Sequence, residues 1–210
     1  MEQIKDILEI IYFISAPIIT IIAAIGLWQI KVSKDHTRIS AKRDALSLAA
    51  QQCDHYLRNI IPLHNSLDKA ILANEVTFMK KAKVTFKGES IRIQYDDTEV
   101  ITEECMKISS EMLPVLNALE SFSVFFTAGA ADERVAFSCV GKTFCSSVQD
   151  LLPEIMLHRD SGYWKHITAL FFLWKPRLDE EMLLKEKEQI DKKLKSINGK
   201  FITPTGTIKQ

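Results

Sequence analysis

One uncharged stretch near the start of the chain limits what the rest of it can be. Residues 10–30 read IIYFISAPIITIIAAIGLWQI and contain no charged side chain. A helix of that length spans about 30 Å, which is the thickness of the hydrocarbon core of a bilayer. Tyr12 and Trp28 lie near its two ends, where aromatic residues of membrane helices concentrate. The sequence therefore predicts a transmembrane anchor over residues 1–31 rather than the buried helix of a soluble protein.

The charges on either side of this stretch predict its orientation. Only Lys5 and the α-amino group precede it, whereas a cluster of basic residues follows it: Lys31, Lys34, Arg38, Lys42 and Arg43. Because basic flanks stay on the cytoplasmic side, the C-terminal part is predicted to be cytoplasmic. The leading segment is net acidic, unlike a signal peptide, so the anchor is expected to remain attached. We predict a single-pass protein of the bacterial inner (plasma) membrane, with the lipid bilayer as one partner.

Composition and motifs restrict the class of the remaining chain. The whole sequence has 27 basic and 27 acidic residues, so no nucleic-acid partner is expected. Its four cysteines form no Cys-x-x-Cys pair, and free thiols in a reducing compartment are predicted. The sequence contains no P-loop, dinucleotide fingerprint, His-Glu-x-x-His or Gly-x-Ser-x-Gly motif. No metal or cofactor is therefore predicted.

Hydrophobic periodicity predicts helices through most of residues 32–198, the expected cytoplasmic domain. The first of them is expected to run on directly from the anchor as a stalk. The clearest stripe follows the steps of one long helix: Ile101, Cys105, Ile108, Met112, Leu116, Leu119 and Phe122. Pro62 and Pro114 are expected to kink or interrupt their helices, Pro153 to bound the next helix, and Pro176 to end an aromatic helix over residues 163–174. Residues 199–210 are predicted to be a flexible tail.

Residues 76–98 have a different pattern. Val84-Thr85-Phe86 and Ile91-Arg92-Ile93 flank a Lys-Gly-Glu-Ser segment, which predicts either a short β-hairpin or a loop. The fold class predicted for the chain is all-α. An N-terminal transmembrane helix is followed by a bundle-like helical cytoplasmic domain, with this hairpin as its one candidate for β-structure.

The charge-dense residues 178–197 carry a sparse heptad pattern of apolar residues: Leu183, Ile190, Leu194 and Ile197. Left uncovered, these side chains would expose apolar area to water. The pattern predicts either packing on the chain's own domain or a weak homodimer through residues 178–197.

One polar group stands beside the apolar face of the central helix. Asn117 and Glu120 lie one helical turn apart at the edge of the predicted core, and Asp132, Glu133 and Arg134 follow closely. One interpretation is a structural network in which Arg134 or backbone donors satisfy Glu120. The other is a binding site for a ligand or partner, formed by these five residues. Asp132 is also predicted to cap the helix that follows it.

The chain also resembles a known family in the layout of its helical part. The residues that carry the resemblance are Leu116-Asn117-Ala118-Leu119-Glu120, a turn of small residues, Asp132-Glu133 and an aromatic helix ending in Trp174. In this layout, residues 1–176 resemble a family of bacterial and prophage single-span proteins, some of which are described as phage abortive-infection proteins. The resemblance implies a helical cytoplasmic domain, a role in phage response and no established catalytic residues.

The function predicted is a membrane-tethered, non-enzymatic interaction module with an unidentified protein partner, in phage defence by resemblance. A membrane-perturbing effector with oligomerised spans is a first alternative, although residues 10–30 contain no GxxxG motif. A carboxylate-dependent hydrolase built on Glu120, Asp132 and Glu133 is a second. That alternative lacks a paired histidine or metal motif for the other catalytic roles.

Overall fold

The computed structural model describes residues 2–87, 90–95, 98–158 and 161–196, and these residues are mostly helical. A first continuous helix comprises α1 (Glu2–His55), a π-helical turn (Tyr56–Ile60) and α2 (Ile61–Ala73). After it come α3 (Phe78–Lys81), β1 (Lys83–Lys87), β2 (Ser90–Gln94), α4 (Thr98–Thr127), α5 (Glu133–Leu157) and α6 (Lys165–Ser196). The prediction of a mainly helical fold with one short hairpin is confirmed.

The helix that begins the chain is long and apolar enough to cross a membrane. Its most apolar window has a mean hydropathy of 1.3, and no part of that window is buried inside the protein. Uncovered apolar surface of this extent is unfavourable in water. The boundary predicted at residues 31–32 falls inside α1, which continues without a break, as expected for a stalk.

The stalk sets the helical domain apart from the apolar segment. The five basic flanking residues are all exposed, and α1 first joins the domain at Ala45, whose carbonyl accepts a hydrogen bond from the Asp132 amide (3.0 Å). Between Ile30 and Ala45 the helix rises about 22 Å. The domain is thus joined to the apolar segment by a helix rather than by a flexible linker.

Pro62 does not interrupt the first helix. A proline lacks the N–H that would bond four residues back, and its ring crowds the carbonyl there. The turn just before it, Tyr56–Ile60, is a π-helix, whose wider spacing is a known way to absorb an irregularity inside a helix. Tyr56 and Ile60 remain buried in this turn, so the apolar stripe continues into α2.

The core of the domain surrounds α4. The predicted stripe of α4 is confirmed, since Ile108, Leu116 and Leu119 have no exposed surface. An aromatic cluster joins α4 to α5 and α6 with ring centroids 4.8–6.3 Å apart, formed by Phe122, Phe126, Phe144 and Trp174. Burial of such large side chains dominates core stability, so Trp174 fixes α6 onto the rest of the bundle.

The two strands form an antiparallel hairpin. Val84 pairs with Ile93 and Phe86 with Ile91, which puts these four apolar side chains on one face of the hairpin. Because an isolated two-stranded hairpin is marginal in water, it needs packing partners. Ile91 is buried in the core, and Val84 and Ile93 pack against it.

Three of the prolines expected to kink, interrupt or end a helix lie inside continuous helices, so the predicted ends at Pro153 and Pro176 are wrong and Pro114 does not divide its helix. Pro114 lies within α4, Pro153 lies within α5, and Pro176 lies within α6 rather than at its end. The two C-terminal helices expected from the sequence are therefore one, Lys165–Ser196. Each proline removes one backbone hydrogen bond, but packing before and after Pro176, through Trp174 and Leu178, keeps the helix in place. Ile197 and the predicted tail lie outside the described residues.

Candidate functional site

The five predicted site residues do not form one site. Asn117 and Glu120 contact the start of α6, whereas Glu133 contacts α6 seven or more residues further on, at Trp174 and Arg177. That separation is about 10–17 Å along the helix. Four of the five residues have structural roles: Asn117 and Glu133 join two parts of the bundle, and Glu120 and Asp132 cap helices.

Glu120 caps the N-terminus of α6. Its Oε1 accepts a hydrogen bond from the backbone N–H of His166 (3.1 Å), and its Oε2 accepts one from that of Ile167 (2.9 Å). The first N–H groups of a helix lack intrahelical acceptors, and a negative charge there also suits the helix dipole. The pair with Arg134 that the sequence suggested is not formed; backbone donors satisfy Glu120 instead.

Asn117 holds the turn that leads into α6. Its Oδ1 accepts a hydrogen bond from the indole N–H of Trp164 (3.4 Å), and that ring meets the His158 ring edge-on with centroids 5.4 Å apart. Trp164 has a φ of 54°, which is unusual for a bulky residue and costs free energy. Burial of Trp164 and its contacts with Asn117 and His158 compensate for that conformation.

Asp132 and Arg134 lie at the start of α5. The Asp132 Oδ1 accepts hydrogen bonds from the backbone N–H groups of Arg134 (3.0 Å) and Val135 (3.2 Å), which confirms the predicted cap. The preceding helix ends near Gly129, whose φ of +69° suits the left-handed conformation common after helix C-termini. Arg134 itself is exposed.

Glu133 bridges α5 to α6. Its Oε1 accepts hydrogen bonds from the indole N–H of Trp174 (2.5 Å) and from Nη1 of Arg177 (2.6 Å). The Arg177 guanidinium also lies over the Phe137 ring, 5.9 Å from its centroid. A buried indole N–H needs an acceptor, and Glu133 supplies it. No sequence pattern indicates this pairing, because Arg177 lies 44 positions away.

Glu104 is a third helix cap, and no sequence pattern singles it out. Its carboxylate accepts hydrogen bonds from the backbone N–H groups of Thr77 (2.6 Å) and Phe78 (2.8 Å) and from the Thr77 hydroxyl (3.1 Å). Burial raises the pKa of Glu104, but these hydrogen bonds outweigh it, and the net pKa is lower than usual. Glu104 therefore fastens the short helix α3 to α4.

A buried carboxylate, Glu154, is the most unusual polar group of the domain. It is 2% exposed, its Oε2 accepts from the Cys105 thiol (3.1 Å), and its Oε1 lies 3.1 Å from Nε2 of His158. The Tyr95 hydroxyl donates to the neighbouring Pro153 carbonyl (2.5 Å). The sequence singles out neither Glu154 nor its contacts with Cys105 and His158.

This cluster has the residue types of a catalytic site but not the arrangement. Cys105 contacts the carboxylate rather than the histidine. A carboxylate is a much weaker base than a thiolate, so this contact does not activate the thiol as a histidine would. Burial, together with the Glu154 hydrogen bond, raises the pKa of the Cys105 thiol. Burial also raises the pKa of Cys53 to about 11 and that of Cys145 to about 12. These thiols are protonated at neutral pH and are poor nucleophiles.

Metal ligation gains no support from the residues that the structure describes. Among them, no three His, Cys, Asp or Glu side chains are grouped as an ion would require. Cys53 is buried, whereas its neighbours Asp54 and His55 point outward and contact Arg58 and Asn59 respectively, one turn on. Three successive helical residues point around the axis and cannot converge on one ion.

An apolar recess lies where the hairpin and α5 meet α6. It is a groove of about 650 Å³ lined mainly by aromatic and aliphatic side chains, among them Phe86, Phe171, Phe172, Leu183 and Leu184. Its polar rim includes Gln149, Glu180 and Lys187, and the rim residues Lys175 and Asp179 form an ion pair. We call this recess the α6 groove. Apolar grooves with polar rims are typical of binding surfaces.

The α6 groove continues onto an exposed length of helix, residues 180–196, which we call the distal half of α6. All of its side chains are exposed, including several large apolar ones: Met182, Leu183, Leu184, Ile190 and Leu194. Together, the groove and the distal half form a continuous apolar surface along α6.

The chain matches no protein-family model, no curated protein and no solved structure. Its function has to be inferred from its own geometry.

Proposed function

We propose that the chain is a single-pass protein of the bacterial inner membrane whose cytoplasmic helical domain is a non-enzymatic interaction module. One contrast supports this proposal most directly. The acidic side chains Glu104, Glu120, Asp132 and Glu133 are used to cap or join helices, whereas the apolar surface of α6 is uncovered. A surface of this kind is suited to binding a partner rather than to chemistry.

The first helix supports the tethered part of the proposal. Its apolar segment is uncovered, basic side chains follow it, and the helix runs on into the domain without a linker. The basic residues Lys31, Lys34 and Arg38 favour a cytoplasmic location of the domain by the positive-inside rule. A helical stalk of about 22 Å would hold the domain close to the bilayer, where membrane partners are concentrated.

The two alternatives draw less support. A hydrolase on Glu120, Asp132 and Glu133 needs free carboxylates at one place, and each of these three accepts hydrogen bonds at a different place in the bundle. A membrane-perturbing effector needs polar side chains that associate between spans, yet the Ser15 hydroxyl donates to its own helix at the Tyr12 carbonyl (2.9 Å). We therefore favour binding through the α6 surface.

Two reporter fusions test the tether. An enzyme active only in the periplasm, fused after Gln210, should stay inactive, and a fluorescent protein that folds only in the cytoplasm should be bright at the same place. The opposite pair of results would overturn the orientation and with it the cytoplasmic module.

The cellular role that we propose, on the resemblance, is a response to phage infection. In cells expressing the chain, plaque formation by a panel of phages should fall, and Ile190→Asp in α6 should restore it. Two variants should keep the protection: Met106→Asp, at an even more exposed apolar site on α4, and His158→Gln, beside the buried carboxylate. Loss of protection in His158→Gln at normal protein level would favour an enzyme, and no protection by the wild type would refute the phage role.

A further inference from the structure

The distal half of α6 has a heptad pattern along one face. Leu183, Lys187, Ile190 and Leu194 follow one another at steps of four, three and four residues, as the d, a, d and a positions of a coiled coil do. Leu183, Ile190 and Leu194 are 64%, 50% and 60% exposed. Within the residues that the structure describes, no other element covers this face.

We propose that this face pairs with the same face of a second copy of the chain, with the two α6 helices antiparallel. The inference rests on the proposed function, since it identifies the partner of the α6 surface. In this register Leu183 faces Leu194 of the second copy, and Lys187 faces Ile190 of the second copy. Two-fold symmetry repeats both contacts, giving four layers. The aliphatic stem of Lys187 can pack on Ile190 while its ammonium reaches water.

The layer at Lys187 distinguishes the two orientations. In a parallel pair, an a position faces the same a position, so two Lys187 ammonium groups would meet inside the seam. In the antiparallel pair each lysine meets an isoleucine instead. A lysine at an a position is a known determinant of register and orientation in coiled coils, because burying like charges together is costly.

The charges beside the seam favour the same orientation. Glu186 and Lys193 occupy g positions, and Asp191 occupies an e position. In a parallel pair g faces e of the other helix, which would bring Glu186 against Asp191. In an antiparallel pair g faces g, which brings Glu186 against Lys193 of the second copy, twice by symmetry. Complementary e and g charges set partner choice and orientation.

The wider charge distribution follows the same rule. Residues 179–188 contain five acidic and two basic side chains, whereas residues 189–196 contain one acidic and three basic ones. Antiparallel pairing places the acidic part of one helix beside the basic part of the other. Parallel pairing would place like charges beside each other.

The α6 groove extends the proposed interface. Leu183 and Lys187 line the groove as well as the seam, together with Glu180. The basic last turns of α6 from the second copy therefore approach the groove beside an acidic side chain. Four seam layers alone form a small interface, so we expect weak pairing in dilute solution. Two chains held in one membrane have a much higher effective concentration, which promotes pairing.

Disulfide trapping of the full chain in membrane vesicles tests the orientation. The parent variant, in which the new cysteines are introduced, carries Cys139→Ser. Cys139 is the exposed one of the four native cysteines, so it could form a disulfide of its own. Leu183→Cys and Leu194→Cys are made separately in this parent, with different tags. In the antiparallel pair, residue 183 lies opposite residue 194 but about 16 Å from its own symmetry mate, too far for a disulfide. We expect a cross-linked dimer when the two variants are co-expressed and none when either is expressed alone.

Exchanging the charges of Glu186 and Lys193 tests the ion pairs proposed beside the seam. Glu186→Lys and Lys193→Glu should each weaken dimerisation about tenfold, because each turns two attractions into two repulsions. The double exchange should restore wild-type dimerisation. Charges that serve only the dipole of their own helix would give no such restoration.

Each remaining outcome contradicts the inference. Cross-linking of either single variant with itself would show a parallel pair. No cross-link in any combination, with melting temperatures at the parent's value, would show that α6 does not self-associate. Neither result refutes the proposed interaction module, which could still bind a different protein through α6. A distinct result, loss of the cytoplasmic orientation in the reporter fusions, would refute that module.

Discussion

Glu120→Gln is the most informative single change in the helical domain. The carboxylate accepts two backbone hydrogen bonds at the start of a 32-residue helix. Glutamine keeps one carbonyl acceptor, but it turns an NH₂ group toward the second backbone N–H and removes the negative charge. A hydrogen bond to a charged group contributes about 1.5–3 kcal/mol, and a charge at a helix N-terminus about 0.3–1 kcal/mol. Because glutamine retains part of the first contribution, we expect a loss of about 2 kcal/mol.

The assay is thermal unfolding of the full chain in detergent. A loss of about 2 kcal/mol should lower the melting temperature by about 4–8 °C for a domain of this size. Glu103→Gln, at an exposed position of the same helix, is the matched control and should change stability by less than about 0.5 kcal/mol. An unchanged or higher melting temperature in Glu120→Gln, with loss of cellular activity, would refute the capping role and favour a ligand or partner role.

Three smaller perturbations test other parts of the fold. Asp132→Ala removes the α5 cap and should cost about 1 kcal/mol by chemical denaturation; no change in midpoint would contradict the cap. Gly129→Ala should cost about 1–2 kcal/mol in the same assay, because φ there is +69°, and a neutral result would refute strain at this turn. Glu104 has a lowered pKa, so its stabilisation should be full above pH 4.5 and be lost as pH falls further. Wild type should therefore have a higher melting temperature than Glu104→Gln at pH 7, and the difference should narrow in acid. A difference that does not change with pH would contradict a lowered pKa of Glu104.

The sequence predicts the fold best where the pattern is local. The period of Ile108, Leu116 and Leu119 lies within one helix, and the cap at Asp132 acts on amides two and three residues away. The hairpin follows from the alternation of β-branched and polar residues in two adjacent segments. Such signals need no knowledge of the rest of the chain.

The prolines show where local rules fail. A proline inside a helix costs about 3 kcal/mol, which is enough to end an isolated helix. Pro176 lies in α6 between buried Trp174 and partly buried Leu178, so tertiary contacts hold both sides of it. Packing free energy of this kind exceeds the local penalty, and it is visible only in three dimensions.

The candidate site shows the same limit. The sequence marks Glu120 and Glu133 as polar groups at the core's edge, but their partners lie on α6, more than 40 residues away. The burial of Glu154 is harder still to predict from the sequence, because a Pro-Glu pair in a helical segment does not indicate that the carboxylate is only 2% exposed. The distal half of α6 could be recognised as a sparse heptad, although its continuity with the aromatic helix before Pro176 could not.

Photo-cross-linking in living cells tests the central claim, that the chain acts by binding through α6. A photoreactive amino acid placed at Ile190 should join the chain to a second polypeptide, either another copy or a different protein. The same group at Met106, which is even more exposed and lies on α4, should give no such product. Products at Met106 but not at Ile190, or none at either site in a correctly inserted protein, would contradict binding through α6.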